Sequence, residues 1–201
     1  MVALNQNVYA AEPSATGTCF VAPMGSTPPT KALFDAGTYT LAPAFIDLGH
    51  IGEDGYTETK DIKTEDKRNF GGKVVKVLQT EVTYTYKFVF LESLSANVLK
   101  AVYGAANVTV TPATSTIGTL VEIKKNTRKL PHQMWVLDTI DSELDAHYRS
   151  YIPDGQIITL GDVKIVHSDV IMYEVEVRAF EDPTGVSIYT WTNDGRVSTG
   201  S

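Results

Sequence analysis

Cysteine is all but missing from this chain: Cys19 is the only one in 201 residues. An intrachain disulfide is therefore excluded, and so is a zinc site built on several thiolates. No apolar run approaches the roughly 18 residues that a transmembrane helix requires. The start, "MVALNQNVYAAEPSATG", has neither the basic nor the apolar region of a secretion signal, so secretion is not expected. Bases are fewer than acids, 17 against 24, which gives a net charge of −7 and a pI near 5.0. That balance disfavours nucleic-acid binding, which relies on Lys and Arg neutralising phosphates. It leaves proximity to DNA open, because a wall that must not adhere to DNA wants this sign.

Catalytic signatures are missing as well. There is no HExxH, no GxSxG, no GxGxxG and no P-loop pattern. His50, His132, His147 and His167 are widely spaced and form no ligand spacing. In "DSELDAH", Asp141, Glu143, Asp145 and His147 recur at period two, so a strand would place all four on one face. A hard-metal or acid–base site is conceivable there, against the plainer reading of a solvated turn leading into a strand. Cys19 lies between Thr18 and Phe20 and reads as a small buried apolar residue. The expectation is a protein that is not an enzyme and that uses no cofactor and no metal.

What is present is strand pattern. Hydrophobic residues make up 43% and charged ones 20%, which argues for a folded chain rather than a disordered one. In "EVTYTYKFVFLE", Val82, Tyr84, Tyr86, Phe88 and Phe90 share one face, with Thr83, Thr85 and Lys87 on the other. With so few bases nearby, these aromatics read as core rather than as a base-stacking platform. The spacing of Leu94, Val98, Leu99 and Val102 predicts one helix over about 94–103, with Ser93 or Ser95 as N-cap and Gly104 at C′. Strands follow at "GTLVEIKKN", "HQMWVLDTI", "LDAHYRSYI", "DVKIVHS", "VIMYEVEVRAF" and "VSIYTWTND", divided by turns at "SELD", "PDGQ", "LGD", "EDPTG" and "NDG". The fold class predicted is mainly β: an antiparallel β-sandwich or partial barrel with one short flanking helix, an extended N-terminal arm and a long loop.

In this reading a single domain divides into an arm at 1–46, a long inter-subunit loop at 47–72 and a sandwich core at 73–201. The arm is rich in Ala, Pro, Thr and Gly, with short strands at "GTCFVAP" and near "TYTLAPAFIDL", and Pro28-Pro29 bars a helix interior or central strand there. The segment from Asp47 to Gly72 mixes seven acids with four bases and cannot form a core of its own. Connections beyond roughly 12–15 residues without internal structure are usually functional or disordered. "GEDG" reads as a tight turn, and Tyr56, Ile62 and Phe70 as widely spaced anchors. A long hairpin or loop that orders against a neighbouring subunit accounts for these features. The cluster Lys124, Lys125, Arg128 and Lys129 is either a solvated turn or a counter-charge for acids on a neighbour.

The order of "TGTCFVAPMGSTPPT", "FIDLGHIGEDGYTETKDIKTEDKRNFGG", "FVFLESLSANVLKAVYGAANVT", "PHQMWVLDTI" and "YEVEVRAFEDPTG" resembles the major tail, or tail tube, proteins of long-tailed bacteriophages, especially those of actinobacterial hosts. The resemblance spans most of the chain. Where family members often have Tyr and Ser in the "LG-x-I-x-EDG" stretch, this chain has His50 and Gly52. The resemblance implies a structural virion protein assembled in the host cytoplasm. Hexameric rings of the chain would stack into a tube that conducts double-stranded DNA into the host without binding it specifically. It implies tape measure, tail terminator and distal tail proteins as partners, and no membrane.

On that reading the inter-ring loop would carry Asp47, Gly52, Glu53, Asp54, Gly55, Tyr56, Asp61, Asp66, Arg68 and Phe70. Asp138, Glu174 and Glu176, on the polar faces of apolar strands, are the candidate lumen-facing acids. Rival readings are a tail terminator, a capsid-decorating protein, or a carbohydrate-binding or adhesin sandwich using Trp135, Tyr189 and Trp191. A small hydrolase built on "DSELDAH" is a further rival.

Overall fold

The alternating stretch at 82–90 sets the architecture. In the computed structural model, which describes residues 7–14, 17–35, 37 and 39–196, it forms the end of strand β5 (Val74–Phe90). Tyr86, Phe88 and Phe90 point inward and are at most 3% exposed, as the alternation requires. On one edge β5 pairs with β10 (Tyr173–Phe180), and on the other with β4 (Ile51–Arg68). From β10 the antiparallel ladder runs to β9 (Ala146–Leu160), β8 (Gln133–Asp141), β2 (Cys19–Pro23) and β3 (Ile46–Asp47). Strand β1 (Glu12–Pro13) extends along β8, and β11 (Tyr189–Asn193) lies beside the first half of β9. The result is one curved nine-stranded sheet that stops short of closing into a barrel.

Two apolar layers hold this sheet. The larger buries Tyr86, Phe88, Phe90, Trp135, Leu137, Val175 and Val177 beneath helix α2 (Ala96–Tyr103), which contributes Val98, Leu99 and Val102. A hairpin of β6 (Val108–Thr111) and β7 (Leu120–Ile123) packs beside that helix. The second layer lies on the other side of β8, where Met134 and Val136 meet Phe20, Phe45 and Tyr151. Residues 39–45 cover it, preceded by the short helix α1 (Lys31–Asp35). Strand β8 is therefore buried on both faces.

Four local expectations are corrected. The helix begins at Ala96, and Leu94 lies before it in a turn, 90% exposed. Ser95 is the N-cap but makes no side-chain capping bond, while Gly104 takes the positive φ of 86° expected just beyond the helix. "PDGQ" is not a turn: Pro153 and Asp154 lie at a register shift inside β9, the setting in which a strand tolerates Pro. "DVKIVHS" is irregular, and "TYTLAPAFIDL" contributes only Ile46–Asp47, because Leu41, Ala42 and Ala44 form the lid over the second layer. "DSELDAH" follows its plainer reading, a turn at 142–145 leading into a strand, so its side chains do not share a strand face. Asp141 Oδ1 accepts the backbone N–H groups of Glu143 and Leu144, and His147 stacks on Tyr39.

Candidate assembly surfaces: a projecting hairpin and an acidic cleft

The polar segment singled out in the sequence folds as a strand. Its β-branched Thr57, Thr59, Ile62 and Thr64 suit an extended backbone, and β4 runs beside β5 from Tyr56 opposite Phe88 to Arg68 opposite Val74. Strand β10 accompanies β5 only along Tyr84–Phe90. The outer part, from Val74 to Thr83, has β4 as its sole ladder partner and reaches roughly 33 Å at about 3.3 Å per residue.

The turn is built by Asn69. Its backbone N–H donates to Lys73 O at 2.9 Å, and its side-chain Oδ1 accepts the Lys73 N–H at 2.9 Å. Gly72 supplies the positive φ of 80°. Lys63 bridges Glu81 across the strands at 2.7 Å, Arg68 pairs with Asp66 at 3.1 Å, and Lys67 pairs with Glu65. Exposed pairs of this kind contribute about 0–1 kcal/mol each. An isolated two-stranded ribbon is marginal in water. This one also leaves Ile62, Val75 and Val77 about half exposed, and Phe70 at its tip is wholly exposed, at 111% of the reference area. The hairpin thus presents apolar side chains to solvent.

At the base of the hairpin the ladder is interrupted. Ile51 faces Phe90 and Tyr56 faces Phe88, so Gly52, Glu53, Asp54 and Gly55 bulge out opposite Val89. Gly55 turns the bulge with φ 65°. The bulge forms the rim of a cleft of about 910 Å³, closed on its other sides by residues of the arm and by Thr139 and Tyr148. Six acids line it: Glu12, Asp47, Glu53, Asp54, Glu58 and Glu92. No Lys or Arg does, and among the described residues none of the six is in an ion pair. Three are held in place. Glu58 accepts from the Tyr86 hydroxyl at 2.5 Å, Glu92 from the His50 N–H at 3.1 Å, and Asp47 from the Gly49 N–H at 2.9 Å. Burial, then the Glu58 carboxylate, push the Tyr86 phenol well above its ordinary range.

The residues assigned to one loop thus divide between two surfaces. Asp47, Gly52, Glu53, Asp54, Gly55 and Tyr56 line the cleft, whereas Asp61, Asp66, Arg68 and Phe70 ride on the projecting hairpin. Sequence reasoning missed the far wall of the cleft: Tyr9, Glu12, Thr139 and Tyr148 come together only because β1 pairs with β8 at Glu12–Ile140. No local signal announces that pairing. Lys125, Arg128 and Lys129, from the basic cluster, line a second recess of about 520 Å³ beside Ile158 and Leu160.

The three acids proposed for a lumen separate likewise. Glu174 and Glu176 alternate with buried Val175 and Val177 on β10 and are partly buried. Glu174 pairs with Lys87 at 2.5 Å. Asp138 is buried, 8% exposed, and receives both Nε and Nη2 of Arg149 at 2.6 Å, so it presents no charge to an outer surface. Its face of β8 is the one roofed by residues 39–45.

Other candidates are absorbed by the core. Trp135 is 1% exposed, and Trp191 stacks on Tyr151 and lies against Phe34. Cys19 is fully buried, which holds its thiol protonated and inert. Among the described residues no helix is long and apolar enough to cross a membrane, and no group of three or more His, Cys, Asp or Glu side chains could hold a metal ion.

A family model described as phage tail tube protein matches residues 2–199. No curated protein matches the chain. Among solved structures, the chain is similar to one in the anti-feeding prophage cap, described as the tube terminating cap. That pair has a TM-score of 0.44 and 6% identity, covering 96% of this chain and 100% of the other. It is also similar to a chain of the anti-feeding prophage baseplate, with a TM-score of 0.36 and 12% identity over 90% of this chain and 97% of the other. Since the family match takes in nearly every residue, this chain belongs to the phage tail tube protein family and is a structural component of the phage tail.

Proposed function

We propose that the chain assembles into hexameric rings that stack into a hollow tube, and that the tube conducts the phage genome into the host. The observation that carries this reading is the hairpin. It reaches roughly 33 Å past the end of the β10 pairing, with Arg178 of β10 meeting Glu81 and Thr83 at its base, buries almost none of its own apolar side chains, and ends in an exposed Phe70. A segment with so little internal support gains its stability from another subunit. Strand β4 is also the edge of the sheet, with a row of backbone groups open to pairing. Closing a ring removes such edges, which are a hazard in a lone subunit.

Stacking through unlike surfaces leaves the two ends of the tube different. That supports distinct partners, a tail terminator at one end and distal tail proteins at the other, with a tape measure protein in the lumen during assembly in the host cytoplasm. Glu174 and Glu176 are the acids proposed to face the lumen, where they would repel a passing duplex. The role is structural, with no catalytic step. Negative-stain microscopy of the purified chain at high concentration tests the reading. Hollow tubes built of sixfold rings are expected, and a protein that stays monomeric, or forms filaments without a channel, would contradict it.

A further inference from the structure

The end of the hairpin and the cleft at its base carry opposite charge, and one chain cannot bring its own two together. From Lys67 to Lys76 the sequence "KRNFGGKVVK" holds four bases and no acid. Glu65 and Asp66 offset Lys67 and Arg68, whereas Lys73 and Lys76 form no ion pair among the described residues. The cleft holds six acids and no Lys or Arg, and Tyr9, Ile51, Tyr56 and Tyr148 give it apolar walls. The paired ladder from Tyr56 to Arg68 keeps the tip roughly 40 Å from the cleft of its own chain, at about 3.3 Å per residue.

We propose that the Phe70 tip of one copy seats in the acidic cleft of a second copy. The apolar walls receive the phenyl ring, and the acids receive Lys73, Lys76 and their neighbours. This rests on the stacking reading above and names the socket. The volume suits the task, since clefts of roughly 300–1,000 Å³ enclose groups the size of one aromatic side chain and its flanking turn. The second recess, lined by Lys125, Arg128 and Lys129, has the charge of the tip and would repel it. Plug and socket are different surfaces of the same chain, so each seated tip leaves another cleft open further along. Such a heterologous contact propagates without limit, as a tube requires. The segment from Asp47 to Lys76 then supplies the plug and one wall of the socket.

The test uses full-length chain and sedimentation of polymer, with circular dichroism confirming the fold of each variant. The tip variant is K73E with K76E, and the cleft variant is E53K with D54K; all four side chains are exposed. Each pair alone is expected to cut polymer yield by at least about tenfold, and the two together to restore most of it, as close charge pairs across an interface do. Phe70→Ser should weaken polymerisation without changing charge. A third variant replaces Thr64–Thr80 with Asn-Gly, joining the register partners Lys63 and Glu81. If that truncation abolishes polymer while the charge reversals leave it intact, stacking through the hairpin stands and the cleft is not its socket. A combined reversal no better than either alone also overturns the inference. If the truncated chain polymerises normally, the stacking reading fails and takes this inference with it.

Discussion

Phe88 and Val82 point to the same side of β5, one inside the body and one on the projecting ladder. Phe88 is 3% exposed, with its ring 5.2 Å from that of Phe90 and 6.2 Å from that of Trp135. An aromatic side chain buries roughly 150–250 Å², which at about 25 cal/mol per Å² corresponds to ~4–6 kcal/mol as an upper estimate. Measured truncations of buried Phe to Ala cost about 3–5 kcal/mol, the cavity included. Val82 is 36% exposed and faces Ile62, itself 48% exposed, so Val82→Ala should cost no more than about 1 kcal/mol. For a chain of this length each kcal/mol moves Tm by roughly 2–4 °C. Phe88→Ala should therefore lower Tm by roughly 6–20 °C, and Val82→Ala by no more than about 4 °C. Thermal and urea unfolding of the unassembled chain, followed by tryptophan fluorescence, would measure both, since Trp135 reports on the packing around Phe88. Equal losses would place Val82 inside the body and refute the division between core and projecting hairpin.

Asp138→Ala should cost about 3–5 kcal/mol because it strands the buried Arg149 charge, whereas Asp138→Leu combined with Arg149→Met should fall well short of that in denaturant unfolding. The Asp182 carboxylate accepts bonds from the Thr184 hydroxyl, the Val186 N–H, the Tyr189 hydroxyl and the Thr184 N–H, which lower its pKa from 3.8 to about 2. A lowered folded-state pKa contributes stability in full above about 3.8 that is lost as pH falls through about 2. Acid titration by circular dichroism should therefore show a steeper loss over that window for the intact chain than for Asp182→Asn. Glu174→Lys with Glu176→Lys should permit tube assembly but slow DNA ejection, most at low ionic strength where screening is weakest. Glu176→Lys alone should be the stronger single change, because Glu174 is already paired with Lys87; ejection at the normal rate by phage carrying both would remove these residues from the lumen.

The core side of this fold was legible because its signal is local. Period-two alternation at Tyr86, Phe88 and Phe90 names a buried strand face wherever the strand ends up. The same rule failed for Asp138, which alternates correctly with Trp135 and Leu137. Its face of β8 is covered by residues 39–45, some ninety positions earlier in the chain, and no window around Asp138 contains that lid. Leu94 matched a helical spacing but precedes the helix, because the backbone first turns with Ser95 N–H bonded to Glu92 O. The polar segment at 47–72 was legible as a piece that builds no core, since its charge and length exclude one. Its place in the rim of a cleft was not legible, because half of that cleft arrives from the N-terminal arm through the pairing of β1 with β8.

A cryo-electron microscopy reconstruction of the assembled tube, at a resolution that traces side chains, would show where each hairpin goes. Each β4–β5 hairpin is expected to leave its own ring and cross into the next. Phe70 should then lie against Tyr56 or Tyr148 of a subunit there, with Lys73 and Lys76 within ion-pair distance of Glu53 and Asp54. Hairpins lying along their own ring, or turned into the channel with Phe70 in contact with solvent, would contradict it.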